Sequence, residues 1–262
     1  EDVTDGLVGY WKLNEASGTK AYDSSGNNNS GTLTNSPTWL SSGGPITDVL
    51  TTGGPCLDFD GSNNQILTSS VSTGSGGLNI TSSLTMSCWA KSDSSIWNSI
   101  GALISKEDSF ILFLDPPKDM RVYIKSSSRT EAWKPFIEYT ITDDITDWHL
   151  YTGVYDGSAL KLYIDGNLKQ TLSTTGTIDN NSNPLTIGTK IDAGLTTRYF
   201  DGKMSDVRIY NRALTADEIY DIYSHPIKKS LYNDFSISTW VKFDNNNNSE
   251  GVLSLYDTDN YS

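Results

Sequence analysis

The 262-residue chain is acidic and rich in small polar residues. It carries 32 Asp and Glu residues against 19 Lys and Arg residues, which gives a formal net charge of −13 at pH 7. A charge of this sign repels phosphate backbones and anionic membrane surfaces, so we expect no nucleic acid as a partner. The longest apolar stretch, FILFL at 110–114, is far too short to cross a bilayer, and we expect no membrane insertion.

Short alternating runs predict an all-β domain with many strands. Asp-Gly turn signals at 156–157 and 165–166 join three of these strands into a meander, which we place at the middle of a sheet. The polar stretch 23–54 is predicted to be a long connection, which either carries function or is a solvated loop tied down around Trp39. In chain order, the predicted strands cover residues 7–13, 56–59, 84–91, 102–105, 110–114, 120–125, 149–155, 159–164, 185–188 and 203–210.

The last predicted strand is followed at once by the one good helix signal. Residues from Met204 to Tyr210 alternate as in a half-buried strand that carries the carboxylate of Asp206 on one face. Thr215 stands three residues before Glu218, which is the spacing of a capping box. These signals predict a short helix that closes the end of a β-sandwich.

The sequence also contains a partial internal repeat. LTMSCWAKSD at 84–93 matches FSISTWVKFD at 235–244 position by position in polarity. We therefore divide the chain into a domain at 1–225 and a partial second repeat at 226–262. A segment this short rarely builds a core of its own. We expect its strands to pair with a sheet edge, either of the first domain or of another copy of the chain.

The two cysteines, Cys56 and Cys88, are too few for a metal site between themselves, and neither belongs to a C-x-x-C pair. A disulfide between them is one reading. The other is a buried free thiol, which the pattern favours because Cys88 alternates with Leu84, Met86 and Ala90 on a core-facing side.

Six motifs in order resemble the concanavalin A-like, laminin-G-like jelly-roll domain over about residues 6–223. The resemblance implies a jelly-roll β-sandwich of two antiparallel sheets with one short C-terminal helix. It also implies that one sheet is curved, so that its concave side can hold a glycan. The motifs are GLVGYWKLNEASGTKAYDSSGNNNSGTL, CLDFDGSNNQIL, LTMSCWAKSD, WHLYTGVYDGSALKLYIDGN, PLTIGTK and DGKMSDVRIYNRALTADEI.

The same resemblance implies a structural calcium ion. In related jelly-roll glucanases an Asp of the last strand binds calcium, and the resemblance places Asp206 of SDVRIY at that position. The partner loop has the pattern D-x-S-G-N, which supplies Asp23, Gly26 and Asn27 here. Carboxylate, amide and backbone oxygens are the ligands that calcium prefers. The alternative is a loop held only by Asp and Asn turn bonds.

The acidic residues do not follow the pattern of a glycan-cleaving enzyme. Hydrolysis of a glycosidic bond normally uses two carboxylates roughly 5 to 10 Å apart. The period-2 acidic run of the related glucanases does not occur, and acids such as Glu138 and Asp144 are scattered near predicted turns. His149 follows Trp148 at a strand start and is interpreted as structural. We therefore expect a protein that is not an enzyme.

Binding is the favoured function. Flat aromatic side chains beside polar donors stack against sugar rings, and the middle of the chain is rich in both. We predict a non-catalytic domain, extracellular or displayed on a cell surface, filament or virion, that binds a glycan or cell-surface polysaccharide or adheres to another surface. The alternatives are a fibre or viral surface subunit assembled through its tail and, less favoured, a glycoside hydrolase. The candidate ligand-binding residues are Trp97, Tyr123, Arg129, Trp133 and Tyr139.

Overall fold

The computed structural model describes residues 3–45, 53–68, 77–97, 100–127, 135–192 and 195–232. This part of the chain folds into strands and a single helix, α1, at Ala216–Tyr232. The strands are β1 Leu7–Trp11, β2 Lys20–Ala21, β3 Gly31–Thr34, β4 Thr38–Leu40, β5 Cys56–Asp60, β6 Gln65–Thr68, β7 Leu84–Lys91, β8 Gly101–Lys106, β9 Phe110–Asp115, β10 Asp119–Ile124, β11 Phe136–Thr140, β12 His149–Tyr155, β13 Ala159–Ile164, β14 Asn167–Ser173, β15 Leu185–Ile187, β16 Lys190–Asp192, β17 Leu195–Thr197 and β18 Asp201–Tyr210.

Two antiparallel sheets of eight strands each form the body of the protein. Sheet A has the order β14-β13-β12-β7-β18-β5-β4, and β1 pairs with β18 beside this path. Sheet B has the order β11-β10-β9-β8-β15-β6-β3-β2. Strands β16 and β17 form a separate hairpin. The predicted jelly-roll β-sandwich of two antiparallel sheets is confirmed.

The inner faces of the two sheets share one large apolar core. Met86 and Tyr151 of sheet A and Val122 of sheet B all belong to it and are at most 1% exposed. The sheets approach so closely that Gly153 of sheet A has no room for a side chain, because a Cβ atom there would lie 2.9 Å from Val122 Cγ1. Removing this apolar area from water is what holds the two layers together.

Helix α1 covers the outer face of sheet A. Its residues Ile219 and Ile222 are buried in a second apolar cluster with Trp89 and Tyr210 of the sheet. The rings of Trp89 and Tyr223 stack with 5.7 Å between their centres. The central strands of sheet A are therefore buried on both faces, and the prediction that β18 is only half-buried is wrong.

The predicted capping box is present at the start of α1. The Thr215 hydroxyl accepts the Glu218 N–H at 3.2 Å, and the Glu218 carboxylate accepts the Thr215 N–H at 2.8 Å. Arg212 adds two hydrogen bonds to the same carboxylate, which together with the cap lower the pKa of Glu218 to about 2. The helix continues to Tyr232 and so passes the predicted domain boundary at 225. The second copy of the repeat, at 235–244, lies outside the described residues.

A β-bulge interrupts β18 and changes which side chains face the core. The register shifts between Ser205 and Arg208, and Asp206 takes a left-handed backbone conformation with φ of 53°. Before the bulge Met204 belongs to the main core, whereas after it Tyr210 belongs to the outer cluster under α1. Met204 and Tyr210, which simple alternation places on one face, therefore lie on opposite faces.

Two further predictions about the connections are corrected. The meander β12-β13-β14 lies at one edge of sheet A and not at its middle, since β14 is the outermost strand. The predicted loop 23–54 contains the short strands β3 and β4. Trp39 on β4 does tie this segment down, because its indole N–H donates to Gly18 O at 2.8 Å and its ring packs against the core.

Both cysteines are free and buried. Burial raises the pKa of the Cys56 thiol to about 11 and also raises that of Cys88. The predicted buried free thiol at Cys88 is confirmed, and it lies in the main core with Met86 and Ala90. Among the described residues, no helix is both long and apolar enough to span a bilayer.

Candidate functional site

Asp23 fastens the loop after β2 to strand β1. Its Oδ1 accepts the backbone N–H groups of Tyr10 and Ser25, both at 2.9 Å, and its Oδ2 accepts the N–H of Asn29 at 2.8 Å. Because these donors come from two separate segments, one carboxylate fixes both the shape of the loop and its position on the sheet.

Gly26 and Asn27, the other two predicted ligands in this loop, shape the turn itself. Gly26 has a φ of 86°, a left-handed conformation that favours glycine. Asn27 uses its side-chain amide as a donor, at 3.1 Å to both Leu7 O and Ser25 Oγ. The loop is thus held by the Asp and Asn turn bonds that the sequence analysis named as the alternative to calcium.

Asp206 is paired with an arginine from its own strand. Its two oxygens accept Arg208 Nε at 2.7 Å and Arg208 Nη2 at 3.0 Å. The guanidinium also donates to the Tyr10 hydroxyl at 3.2 Å and lies 4.5 Å from the centre of that ring. Asp23 and Asp206 therefore both hold Tyr10 in place. Asp23 accepts the backbone N–H of Tyr10, and Asp206 orients the arginine that contacts the Tyr10 side chain.

These carboxylates do not fit a cation as they stand. Each oxygen of Asp23 and Asp206 already accepts at least one hydrogen bond, and a positively charged guanidinium stands beside Asp206. A calcium ion would have to displace those donors before it could gather its six to eight oxygen ligands. Calcium at Asp23, Gly26, Asn27 and Asp206 remains a prediction, and the hydrogen bonds weigh against it.

We expect the melting temperature of the chain to be the same in excess EDTA and in excess calcium chloride. A ligand stabilises a protein only by binding its folded state, and the geometry above offers calcium no preformed ligand set at this loop. Differential scanning calorimetry of one preparation in the two buffers makes the comparison. A calcium-dependent rise that disappears in Asp206→Asn would establish the predicted site instead.

A cavity of about 650 Å³ lies on the outer face of sheet B. Along β9, Leu112 belongs to the main core, whereas Ile111 and Phe113 form a separate cluster with Ala102 of β8. Successive side chains of a strand point to opposite faces, so Ile111 and Phe113 lie on the face away from the core. The cavity is lined by Ile100, Ser105, Lys106, Glu107, Asp108, Phe110, Ile111, Phe113, Arg121, Tyr123, Phe136, Lys190 and Arg198.

Arg121 of β10 lies between two aromatic rings of this cavity. Its guanidinium carbon is 5.8 Å from the ring centre of Phe113 and 5.7 Å from that of Phe136. The same guanidinium pairs with Asp115, at 2.6 Å, and with Glu138. Cation–π attraction and charge-assisted hydrogen bonds together fix the orientation of the cation and of the two rings.

Three carboxylates meet beside this arginine, on three neighbouring strands. Oxygens of Asp115, Asp119 and Glu138 lie within 4.8 Å of one another. Strand register brings them together, since Asp119 is opposite Asp115 and Arg121 is opposite Glu138. The interpretation of Glu138 as a residue near a turn is therefore wrong. Arg121 places a positive charge between Asp115 and Glu138, two of the three acids. The cavity itself is lined by two other acidic residues, Glu107 and Asp108.

The predicted ligand-binding residues divide into three groups. Tyr123 lines the cavity. Trp97 is 3% exposed and lies in the main core, and Tyr139 packs against that core, so the prediction that these two face a ligand is wrong. Arg129 and Trp133 lie outside the described residues, and their role remains a prediction.

His149 has the structural role that the sequence analysis predicted. It is 8% exposed, its Nδ1 lies 2.6 Å from Asp165 Oδ2, and its Nε2 lies 3.0 Å from Asp144 O. Burial favours the neutral ring, but the hydrogen bond and charge of Asp165 outweigh it and raise the pKa of His149. Both ring nitrogens are thus engaged within the fold.

Solved structures similar to this chain include single domains of larger proteins. Domain 4 of AbnA, a GH43 extracellular arabinanase from Geobacillus stearothermophilus, in complex with arabinotriose, is 18% identical, with a TM-score of 0.58 over 83% of this chain and 98% of that one. The binding domain of Paraclostridial Mosquitocidal Protein 1 is 16% identical, with a TM-score of 0.61 over 84% of this chain and 52% of that one. The binding domain of botulinum neurotoxin DC, in complex with rat synaptotagmin II, is 13% identical, with a TM-score of 0.61 over 86% of this chain and 52% of that one.

The chain thus spans about half the length of the mosquitocidal-protein and neurotoxin binding domains and nearly all of the arabinanase domain. At sequence identities this low, the similarity shows only that these proteins share a fold. A comparison with curated protein sequences gives no match. A family model described as the concanavalin A-like lectin/glucanases superfamily, of the laminin G type, matches residues 60–220, which is more than half of the sequence. The chain therefore belongs to the concanavalin A-like lectin/glucanases superfamily.

Proposed function

We propose that this protein is a non-catalytic binding domain that holds a carbohydrate in the cavity on the outer face of sheet B. It acts as part of a secreted or surface-displayed protein and either binds a free glycan or adheres to a surface polysaccharide. The proposal rests on the fold, on the geometry of the cavity and on the kinds of ligand that the structural neighbours carry.

The observation that carries the proposal is the composition of the cavity wall. Tyr123 supplies an aromatic ring, Phe113 and Phe136 supply apolar surface packed against guanidinium groups, and Arg121 and Arg198 supply the charged groups beside them. Sugar rings have an apolar face that stacks on aromatic side chains and a rim of hydroxyl groups that needs donors and acceptors. A volume of about 650 Å³ falls within the range of small-molecule sites.

The structural neighbours support binding more than catalysis. One was solved with arabinotriose, and another was solved with the protein synaptotagmin II. A sugar is the ligand that we favour for this chain, because the aromatic rings of the cavity lie next to charged donors and not in an uninterrupted apolar patch. A protein receptor would be expected to bury a wider surface.

Hydrolysis is the less favoured function. Asp115 and Glu138 form a close pair of acids beside the cavity. Both contact the guanidinium of Arg121, which lines it. A retaining or inverting glycosidase needs one carboxyl group to donate a proton and the other to attack or to activate water. Both acids are already bound by the same arginine, so this pair is not arranged for two such separate roles.

We expect Tyr123→Ala to weaken glycan binding about tenfold, because loss of a stacked ring removes on the order of 1 kcal/mol or more of the binding free energy. A glycan array that includes arabinotriose identifies the ligand, and isothermal titration calorimetry then gives the two dissociation constants. Tyr22→Ala is the matched control, since Tyr22 is 59% exposed and follows β2 at the other edge of sheet B.

Two outcomes would contradict the proposal. If the array shows no binding to any glycan, the carbohydrate function fails. If Tyr22→Ala weakens binding as much as Tyr123→Ala, the ligand does not occupy this cavity. Assembly with copies of the chain through the partial repeat at 226–262 remains a separate prediction, carried by the polarity match between 84–93 and 235–244.

A further inference from the structure

The sheet surface under the cavity carries a buried hydroxyl group among apolar side chains. Ile111 and Phe113 of β9 line the cavity and pack with Ala102 of β8. Ser105 of β8 lies directly opposite Ile111 in the strand register, and residues paired in this way share one face of a sheet. Ser105 therefore belongs to the same outer face of sheet B as Ile111, and it also lines the cavity.

The hydroxyl of Ser105 is not satisfied by the sheet. Ser105 is 1% exposed, and within the described part of the chain its hydroxyl has no hydrogen-bond partner. Thr186 lies opposite it on β15, but the Thr186 hydroxyl donates to the backbone oxygens of Ser105 and Thr189, at 3.2 and 2.8 Å. A buried hydroxyl without a partner destabilises the folded chain. A ligand group that bonds to it removes this cost.

Ser105 belongs to a row of side chains that crosses the sheet to the aromatic wall of the cavity. Tyr123 of β10 lies opposite Ile111 on the side away from Ser105. Two strand spacings, roughly 10 Å in all, therefore separate Ser105 from Tyr123. Two linked sugar rings span a distance of this size. One ring can stack on Tyr123 while the next lies over Ile111 and Ser105.

We propose that the Ser105 hydroxyl recognises an axial hydroxyl group of the bound glycan. This inference rests on the proposed function, because it names the class of sugar that the cavity takes. The equatorial hydroxyls of a pyranose lie near the plane of the ring, so a ring that lies flat on the sheet turns them toward the sides of the cavity. An axial hydroxyl projects from the plane and reaches the sheet beneath. Because a hydroxyl both donates and accepts, it is a suitable partner for serine.

The configuration of the sugar decides whether this contact forms. Galactose and mannose units carry an axial hydroxyl on the ring, whereas the hydroxyls of β-linked glucose and xylose units are all equatorial. A ring with equatorial hydroxyls alone would cover Ser105 with an apolar face and leave its hydroxyl unpaired. A buried polar group of the site discriminates strongly against a ligand that leaves it without a partner.

The test uses pairs of trisaccharides that differ only in the configuration of one carbon in each unit. β-1,3-Galactotriose and laminaritriose differ at carbon 4, and β-1,4-mannotriose and cellotriose differ at carbon 2. Dissociation constants are measured by calorimetry for the full chain, for Ser105→Ala and for the control Ser87→Ala. Ser87 is also a buried serine, but it lies in sheet A and its hydroxyl is paired with that of Thr152 at 2.9 Å.

We expect the wild type to bind the axial member of at least one pair about tenfold more tightly than the equatorial member, as gain of one hydrogen bond in a buried site does. Ser105→Ala should abolish this preference and keep or raise the melting temperature, because it removes an unpaired hydroxyl. Ser87→Ala should keep the preference and lower the melting temperature. A serine with a merely structural role would not combine lost specificity with retained stability.

The outcomes separate failure of this contact from failure of the cavity. Glycan binding that depends on Tyr123 but shows no axial preference in either pair overturns the role of Ser105 and leaves the proposed function standing. A preference that survives Ser105→Ala does the same. Absence of binding to every glycan overturns both.

Discussion

The Asp23→Ala variant is expected to lose about 3 kcal/mol of unfolding free energy. The change leaves three backbone N–H groups, those of Tyr10, Ser25 and Asn29, without their acceptor. A fully buried donor without an acceptor costs roughly 1 to 3 kcal/mol, and because these three are only partly buried, access of water reduces the sum. Urea denaturation followed by tryptophan fluorescence gives the free energy, because Trp11 is fully buried and donates its indole N–H to Asn29 O at 3.0 Å.

Asp60→Ala is the matched control for this variant. Asp60 makes the same local turn bond, in which its Oδ1 accepts the Ser62 N–H at 2.9 Å, but the turn is exposed and, among the described residues, the carboxylate holds no second segment of chain. We expect a loss below about 1 kcal/mol there. Equal losses in the two variants would mean that Asp23 supports only its own turn, and the proposed fastening of the loop to β1 would be wrong.

The second large effect is expected at Asp206, whose removal leaves a buried arginine without its carboxylate. Arg208 is 4% exposed, and breaking a buried ion pair by deleting one partner costs about 3 to 5 kcal/mol. Asp206→Asn keeps an oxygen acceptor and a side chain that tolerates the left-handed backbone, so it should lose less than Asp206→Ala. The double variant Asp206→Ala with Arg208→Met should recover part of the loss, since no buried charge then remains.

Asp93→Ala provides the comparison with an exposed ion pair on the same strand. Lys203 of β18 pairs with Asp93 at 2.5 Å, and the Asp93 side chain is 45% exposed. Exposed pairs contribute at most about 1 kcal/mol. If Asp206→Ala costs no more than Asp93→Ala, the Arg208 guanidinium is reaching water in solution, and the ion pair does not stabilise the fold.

The strands that the sequence predicted best are those with one clear alternation or one clear turn. The bounds of β7, β12 and β13 agree with the prediction residue for residue, and the Asp-Gly turns at 156–157 and 165–166 fix the register of the meander. The capping box at Thr215 was predicted because it depends on local spacing alone. Local signals of this kind need no knowledge of the partner strand.

The bulge in β18 and the cavity could not be predicted, because both depend on contacts between distant segments. Nothing in the sequence next to Asp206 indicates that its backbone is left-handed. The run FILFL is apolar at every position, so it cannot tell which side chains face the core and which, like Phe113, face the cavity. The sequence alone does not show that Phe136 points outward and Tyr139 inward, because the register of the edge strand β11 decides this.

The position of α1 has a consequence for how the domain can be attached to others. Both described ends of the chain lie on the outer side of sheet A, since Val3 packs against the cluster under the helix and its backbone oxygen accepts the Tyr210 hydroxyl at 3.0 Å. The cavity is on the outer side of sheet B, across the full thickness of the sandwich. A segment joined directly at these ends would therefore begin on the side of the sandwich opposite the cavity.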